Sequence, residues 1–264
     1  MINPAVEMER LADCPEIAIV RITRQQYRNA FNDDVVSGLA SAADQLREQT
    51  DVRCVIVTGA GGFFSAGADL SLFDAIRNEF DVNKVRRLVE KGGLMCAAWE
   101  KLPQLTIAAI DGGAVGGGLG LALSCDWRVM AEDAWIYVPE ARLGLNYGWN
   151  TLPRLNALVG PARTKTISIL CRKHSAKECV DWGIADRIGS QSSAMDSAIE
   201  LAREVCSIPR LAAQIIKRSV NANAYALAAA TSYADMDDML VCMTDQEGKR
   251  SAQEVVNEIK RKKI

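Results

Sequence analysis

The chain has 264 residues, 49% of them hydrophobic and 24% charged, with a formal net charge of −2. That length supports a full core in one large domain, and the near-neutral charge offers no basic field for nucleic acid or acidic membranes. No apolar stretch approaches the roughly 18 residues a membrane helix needs. Residues 1–10 carry Glu7 and Glu9 and no apolar h-region, so no secretory signal is expected and the expected compartment is the cytoplasm.

In chain order, residues 17–22 read as a first strand. Asp33 and Asp34 stand where they can cap a helix running to about residue 49. Residues 52–58 form a second strand ending in Gly59-Ala60-Gly61-Gly62, and residues 63–70 lead from it into a helix. Residues 82–101 read as a long helix closed by Pro103, 105–110 as a third strand, and 127–131 and 135–138 as two more. Alternating strands and helices predict an α/β core. From Pro161 the pattern turns helical, with helices over 211–220 (Pro209 at the first turn), 225–243 and 251–260. Residues 1–208 are taken as the core and 209–264 as a helical C-terminal region. Met236, Met239, Leu240 and Met243 make an apolar stripe at helical spacing, expected to pack on the sheet or on a neighbouring subunit.

The eight cysteines are scattered through mostly apolar surroundings with no C-x-x-C pair. That is the pattern of small buried thiols in a reducing compartment, not of a zinc site or a disulfide scaffold, and no metal is expected. The single histidine, His174, lies in a polar stretch before a helix, where a surface or capping place is expected. No G-x-S-x-G elbow accompanies it, which removes a Ser-His-Asp mechanism.

The most informative stretch follows the third strand. Six glycines fall within residues 112–120, and a helix-like run begins at Leu119. A strand, a tight turn and a helix start leave backbone N–H groups free, and glycine lets a ligand reach them. Such a turn holds either a phosphate or an oxyanion. It matches neither G-x-x-x-x-G-K-[ST] nor a full dinucleotide fingerprint. The loop Phe63-Phe64-Ser65-Ala66-Gly67-Ala68-Asp69-Leu70 also follows a strand. Two such loops can each aim one N–H at a shared point, and one donor of an oxyanion hole is worth about 3–4 kcal/mol in the transition state. Taken singly, each loop is only a tight turn.

Taken together, the motifs resemble the crotonase (enoyl-CoA hydratase/isomerase) superfamily. They are Arg28-Asn29-Ala30-Phe31, residues 64–70, Gly116-Gly117-Gly118, Cys125-Asp126, residues 139–144, Ser175-Ala176-Lys177-Glu178 and Trp182-Gly183-Ile184-Ala185, in order over nearly the whole chain. The resemblance implies an α/β crotonase-like (ClpP/crotonase) fold of repeated ββα units. It also implies a helical C-terminal region that helps cover the pocket and form a homotrimer or dimer of trimers. The implied substrate is an acyl-CoA thioester, with no cofactor beyond its CoA moiety. Ala68 and Gly117 would supply the oxyanion-hole N–H groups that hold the thioester enolate, with Gly116 beside them. Arg28, Ala66 and Asp69 would contact CoA, Arg28 near a phosphate. Lys260, Arg261, Lys262 and Lys263 either add phosphate contacts or form a solvated basic end.

The acid/base residues discriminate among reactions. Hydratases of the family carry two glutamates, one two residues past the third glycine and one in a later Pro-Glu pair. Here those positions are Gly120 and Glu140. Two carboxylates can position a water and shuttle its proton, whereas one can take a proton from one carbon and return it to another. Burial would raise the Glu140 pKa toward that of a working base. Nearby, residues 146–151 depart from the glycine-rich segment of hydratases. Gly148 is kept where a backbone N–H helps hold water, Tyr147 and Trp149 reshape the acyl pocket, and Asn146 or Asn150 can replace a polar contact. No aspartate nucleophile of the dehalogenase type stands at Gly148, and no acid pair of the dienoyl-CoA isomerase type is found. The expected activity is enoyl-CoA double-bond isomerisation by Glu140, with hydration, then decarboxylation, as alternatives. A catalytically inactive acyl-CoA- or RNA-binding homologue is the reading from another class, and the charge balance argues against RNA.

Overall fold

The computed structural model describes residues 5–69, 71 and 81–262. Strands β1 (Val6–Leu11), β2 (Cys14–Ile22) and β3 (Cys54–Gly59) open a six-stranded sheet. Helix α1 (Asp33–Glu48) lies between the last two. Helix α2 (Val82–Glu100) leads to β4 (Leu105–Ile110), β5 (Gly113–Val115) and α3 (Gly117–Leu123). Next come β6 (Trp127–Met130), β7 (Trp135–Tyr137), a 3-10 turn (Glu140–Leu143) and α4 (Thr151–Leu170). Beyond them lie β8 (His174–Ser175), α5 (Ala176–Trp182), β9 (Arg187–Ile188) and α6 (Met195–Ser207). Four helices end the chain: α7 (Arg210–Ala224), α8 (Ala228–Ser232), α9 (Asp235–Thr244) and α10 (Gln246–Lys262).

The large sheet runs β1-β2-β3-β4-β6-β9, antiparallel at β1/β2 and parallel thereafter; the small one runs β5-β7-β8. Units recur in which one strand joins the large sheet, the next joins the small sheet and a helix follows, as in β4-β5-α3. An isolated bridge, Ser65 to Ala114, lays the loop after β3 beside β5 in the same manner. This is the crotonase fold, with its helical C-terminal region.

Central strands β3 and β4 are buried at every position, which is why they read as unbroken apolar runs. Alternate residues feed two cores. Ile17, Ile19, Ile56, Ile107 and Val129 pack on α6, while Ala18, Val20, Val55, Val57 and Ala108 join the main core with α1 and Trp99 of α2. Among the described residues no helix is long and apolar enough to cross a membrane.

Several sequence expectations need correcting. Asn32, not Asp33 or Asp34, caps α1: its side chain accepts from Val35 N at 3.1 Å, and the two aspartates occupy the first turn. The expected helix over 225–243 is two helices, parted at Tyr233–Ala234. Helix α4 starts ahead of Pro161 and is kinked beside it, where Gly160 has φ 74°. His174 is neither on the surface nor a cap; it is 4% exposed with its ring 4.9 Å from that of Trp182, and the neighbouring Ser175 forms the capping box with Glu178. The methionine stripe packs on Val85, Leu88 and Val89 of α2, not on the sheet. The helix expected after residue 70 falls outside the described residues, as do the side chains of Lys260, Arg261, Lys262 and Lys263.

Candidate active site

The two glycine loops meet at the C-terminal ends of the parallel strands, where open α/β sheets place their ligands. Asn29, fully buried, ties the first loop down. Its Nδ2 donates to Ala60 O (2.9 Å) and Phe63 O (2.6 Å), and its Oδ1 accepts from Arg24 N (3.0 Å). Phe31 N donates to Gly67 O and Asp69 N to Phe31 O, so the peptide between them presents the Ala68 N–H outward. Gly67 (φ 82°) touches the second loop: a Cβ there would lie 2.5 Å from Val115 O and 3.3 Å from Gly117 N. Among the described residues, the N–H groups of Ala68 and Gly117 have no acceptor. The pair is thus held ready for an incoming oxygen.

Glu140 opens the 3-10 turn after β7, and its carboxylate packs on Gly116. A Cβ at Gly116 (φ 48°) would lie 2.5 Å from Glu140 Oε1. Glu140 Oε2 is buried without a hydrogen-bond partner, and burial pushes the carboxyl up to about 8 from an ordinary 4.5. A carboxylate adjoining an oxyanion donor, with a pKa near neutrality, is fitted to take up and release a proton beside a carbonyl.

The turn after Glu140 closes the site. The Tyr147 hydroxyl donates to Gly116 O at 3.0 Å, and burial holds that phenol well above its usual range, so it stays a neutral donor. Gly116 C=O and Gly117 N–H belong to one planar trans peptide, so anchoring the carbonyl fixes the direction of the N–H. Trp149 and Asn150 both adopt left-handed backbone (φ 60° and 58°). Their carbonyls accept from Arg154 Nη1 (2.8 and 3.1 Å), a fully buried guanidinium that also pairs with Glu100 at 2.7 Å. The Trp149 indole lies parallel to Phe31 (centroids 6.4 Å apart) and against Gly92 and Gly117, where any Cβ would overlap it. A Cβ on Gly120 would stand 3.2 Å from Thr151 Oγ1 and 3.7 Å from the indole.

A cavity of about 50 Å³ results, walled by Ala68, Gly117, Glu140, Tyr147, Gly148 and Trp149 and completed by Val89, Leu145, Asn146 and Met239. Glu140 is the one carboxyl group among these walls. Asp235, at the start of α9, lines an adjoining cavity of about 160 Å³ and accepts from Asn150 N at 3.0 Å, while its backbone oxygen takes Asn146 Nδ2 at 2.9 Å. Burial raises its carboxyl above the ordinary value.

The structure therefore brings together Ala68, Gly116, Gly117, Glu140, Tyr147, Gly148 and Trp149. Arg28, Ala66 and Asp69 are not among the walls of this cavity. Arg28 is exposed, its guanidinium 5.6 Å from the Phe63 ring centroid; Ala66 N donates to Arg28 O; and Asp69 is ion-paired with Arg24 and accepts from Ser71 N and Oγ. Burial works to raise the Asp69 carboxyl, but those bonds outweigh it and hold it below the usual value. Sequence reasoning missed Phe31 as a ring partner, Gly92, Arg154 and Asp235. Only Gly92-Gly93, a glycine pair inside a helix, carried a signal, that of close approach by another group.

Fold and site define a class: a ClpP/crotonase-like enzyme with paired backbone donors and a buried carboxyl. The enoyl-CoA hydratase/isomerase family model matches residues 15–262, and the chain belongs to that family. It is 30% identical to a short-chain-enoyl-CoA hydratase of Clostridium acetobutylicum, over 78% of each chain. It is 32% identical to the mitochondrial Delta(3,5)-Delta(2,4)-dienoyl-CoA isomerase of Mus musculus, over 74% of this chain and 62% of that one. Among solved structures it superposes on an enoyl-CoA hydratase from Bacillus anthracis with TM-score 0.76, 29% identity and 82% coverage of each chain.

Proposed function

We propose that the protein is an enoyl-CoA double-bond isomerase that works through one base. The observation that carries this reading is the single carboxyl group, Glu140, in a cavity whose other walls are apolar or neutral. The thioester oxygen of an acyl-CoA takes the N–H groups of Ala68 and Gly117. Glu140 removes a proton from the α-carbon, the enolate charge rests on the two N–H groups, and the same carboxyl returns the proton at the γ-carbon. No second acid is needed, and CoA enters only as part of the substrate. Arg28, Ala66 and Asp69 frame the CoA entrance, and Gly116, Gly148, Tyr147 and Trp149 shape the acyl end. Residues 209–264 cover the pocket through Met239 and Asp235, while the exposed Leu211, Ile215, Ile216 and Val220 of α7 offer a face for trimerisation.

Hydration is the second reading, favoured by Gly148, whose N–H lacks an acceptor among the described residues, and by Asn146, whose Oδ1 is buried without a donor. Incubation with trans-3-hexenoyl-CoA separates the two. A product of unchanged mass and altered retention supports isomerisation. Trans-3-hexenoyl-CoA left unchanged while trans-2-hexenoyl-CoA gains one water replaces it with hydration.

A further inference from the structure

At the N-terminal end of β2, remote from the site just described, two thiols and a carboxylate come together from distant parts of the chain. Cys14 is the first residue of β2, Glu16 follows two residues later, and Cys206 lies in the last turn of α6. Both cysteines are half-buried, and the two sulfurs and a Glu16 carboxylate oxygen all lie within 4.8 Å of one another. Nothing in the sequence spacing announces this cluster.

We propose that Cys14, Glu16 and Cys206 bind a thiophilic divalent cation of the zinc type. Two sulfurs and one carboxylate oxygen are a donor set that suits zinc, with bonds of about 2.3 Å to sulfur and about 2.0–2.2 Å to oxygen. Donors around a tetrahedral ion of that size stand roughly 3.5–3.8 Å apart, so the observed spacing closes on an ion with small side-chain adjustments. Charge balances as well. With both thiols ionised the triad carries three negative charges, the ion supplies two positive ones, and Arg53, whose Nη1 lies 3.3 Å from Glu16 Oε1, supplies the third. The guanidinium also orients the carboxylate, the part an outer partner plays for a metal ligand. Bound metal releases the two thiol protons to solvent and leaves the fourth position to water. At about 3.3 Å per residue, β2 separates this site from the substrate loops by about 25 Å. The ion's effect is therefore to staple the first long strand to α6 and stabilise the folded chain, leaving the chemistry unaltered.

The test uses the full-length protein, stripped with chelator and kept reduced with a phosphine. Zinc is titrated in competition with a chromophoric chelator, and cadmium is titrated alone to read thiolate-to-metal absorption in the ultraviolet. One ion per chain is expected, with a micromolar or tighter Kd, a cadmium–thiolate band, and a melting temperature that rises with zinc. Cys14→Ser and Cys206→Ser each lower affinity at least 100-fold and abolish the band, Glu16→Gln weakens binding about tenfold, and Cys242→Ser binds as the wild type does. Absence of the band in the wild-type protein overturns the proposal without reliance on any variant. So does undiminished binding by the doubly substituted Cys14→Ser/Cys206→Ser chain.

Discussion

Replacing Glu140 with glutamine keeps the side chain's size and its seat against Gly116 and removes only its capacity to hold and release a proton. In the wild-type protein burial raises this carboxyl from 4.5 to about 8. Only about one free enzyme molecule in ten then carries the ionised base at pH 7. The kcat/KM for isomerisation therefore rises about tenfold per pH unit until about pH 8 and levels off above it. Glu140→Gln lowers kcat by about 10²–10⁴-fold, and its residual rate shows no such inflection. The same titration enters stability with a definite sign. Between pH 4.5 and about 8 the native state holds a proton that the unfolded chain has released, so stability falls as pH rises. The slope is about 1.4 kcal/mol per pH unit, which over the whole window amounts to at most roughly 4–5 kcal/mol, fully expressed above the folded pKa. Glutamine does not titrate. In urea unfolding at a series of pH values, the variant should match the wild type below pH 4.5, exceed it increasingly up to about pH 8, and hold a constant margin above that. A wild-type rate profile already flat at pH 6 refutes the buried base, as does a glutamine variant within threefold of wild-type turnover. A stability difference that ignores pH refutes the burial argument alone.

Tyr147→Phe removes the hydrogen bond to Gly116 O; kcat should drop about tenfold, the value of one hydrogen bond of about 1–1.5 kcal/mol, with KM and the pH inflection unmoved. Trp149→Ala empties the space beside Gly92 and Gly117, costs about 3–5 kcal/mol in denaturant unfolding, and shifts the preferred acyl chain toward longer ones in a substrate series. Gly120→Glu should not create a hydratase, because its Cβ meets Thr151 Oγ1 at a tight 3.2 Å; water addition to trans-2-hexenoyl-CoA by this variant contradicts that account. Leu211→Glu with Ile216→Glu, at positions 69% and 61% exposed on α7, should reduce the proposed trimer to monomers in light scattering.

Much of the fold was legible because its physics is local or periodic. β4 is buried on both faces and so carries no polar residue outside Thr106, whose Oγ1 and N are satisfied by Asp126 Oδ2 at 2.9 and 2.7 Å. The glycine turns were legible because only glycine fits the close approaches and positive φ of Gly67 and Gly116. The family motifs located Glu140, but its burial belongs to a cavity it shares with Tyr147, Trp149 and Met239 from later in the chain, which is a tertiary fact. The choice of Asn32 over two neighbouring aspartates as helix cap turned on a one-residue difference in where the extended backbone ends (φ −88°, ψ −178° at Asn32). Asp235 was invisible for a different reason: its partners, Asn146 and Asn150, lie nearly ninety residues earlier. His174 reads as polar by its neighbours, yet its ring is covered by Trp182, one helix further on.

Gly120 and Trp149 belong to one argument about water. A Cβ at position 120 would stand 3.2 Å from Thr151 Oγ1, a tight contact, and 3.7 Å from the indole, an ordinary packing distance, so Thr151 and the ring both border the place where a second acid would begin. The exchange of an acid for an aromatic wall does two things at once on the proposed mechanism. It leaves out the group that would activate a water, and the ring is one of the walls of the cavity in which burial lifts Glu140 to about 8. A drier cavity strengthens the hold of the Ala68 and Gly117 N–H groups on the enolate oxygen, because their dipoles are less screened. It also lets the abstracted proton stay on Glu140 long enough to return to the γ-carbon instead of passing to solvent. On the proposed mechanism, the glycine at position 120 and the indole beside it thus belong to the conditions under which Glu140 alone suffices.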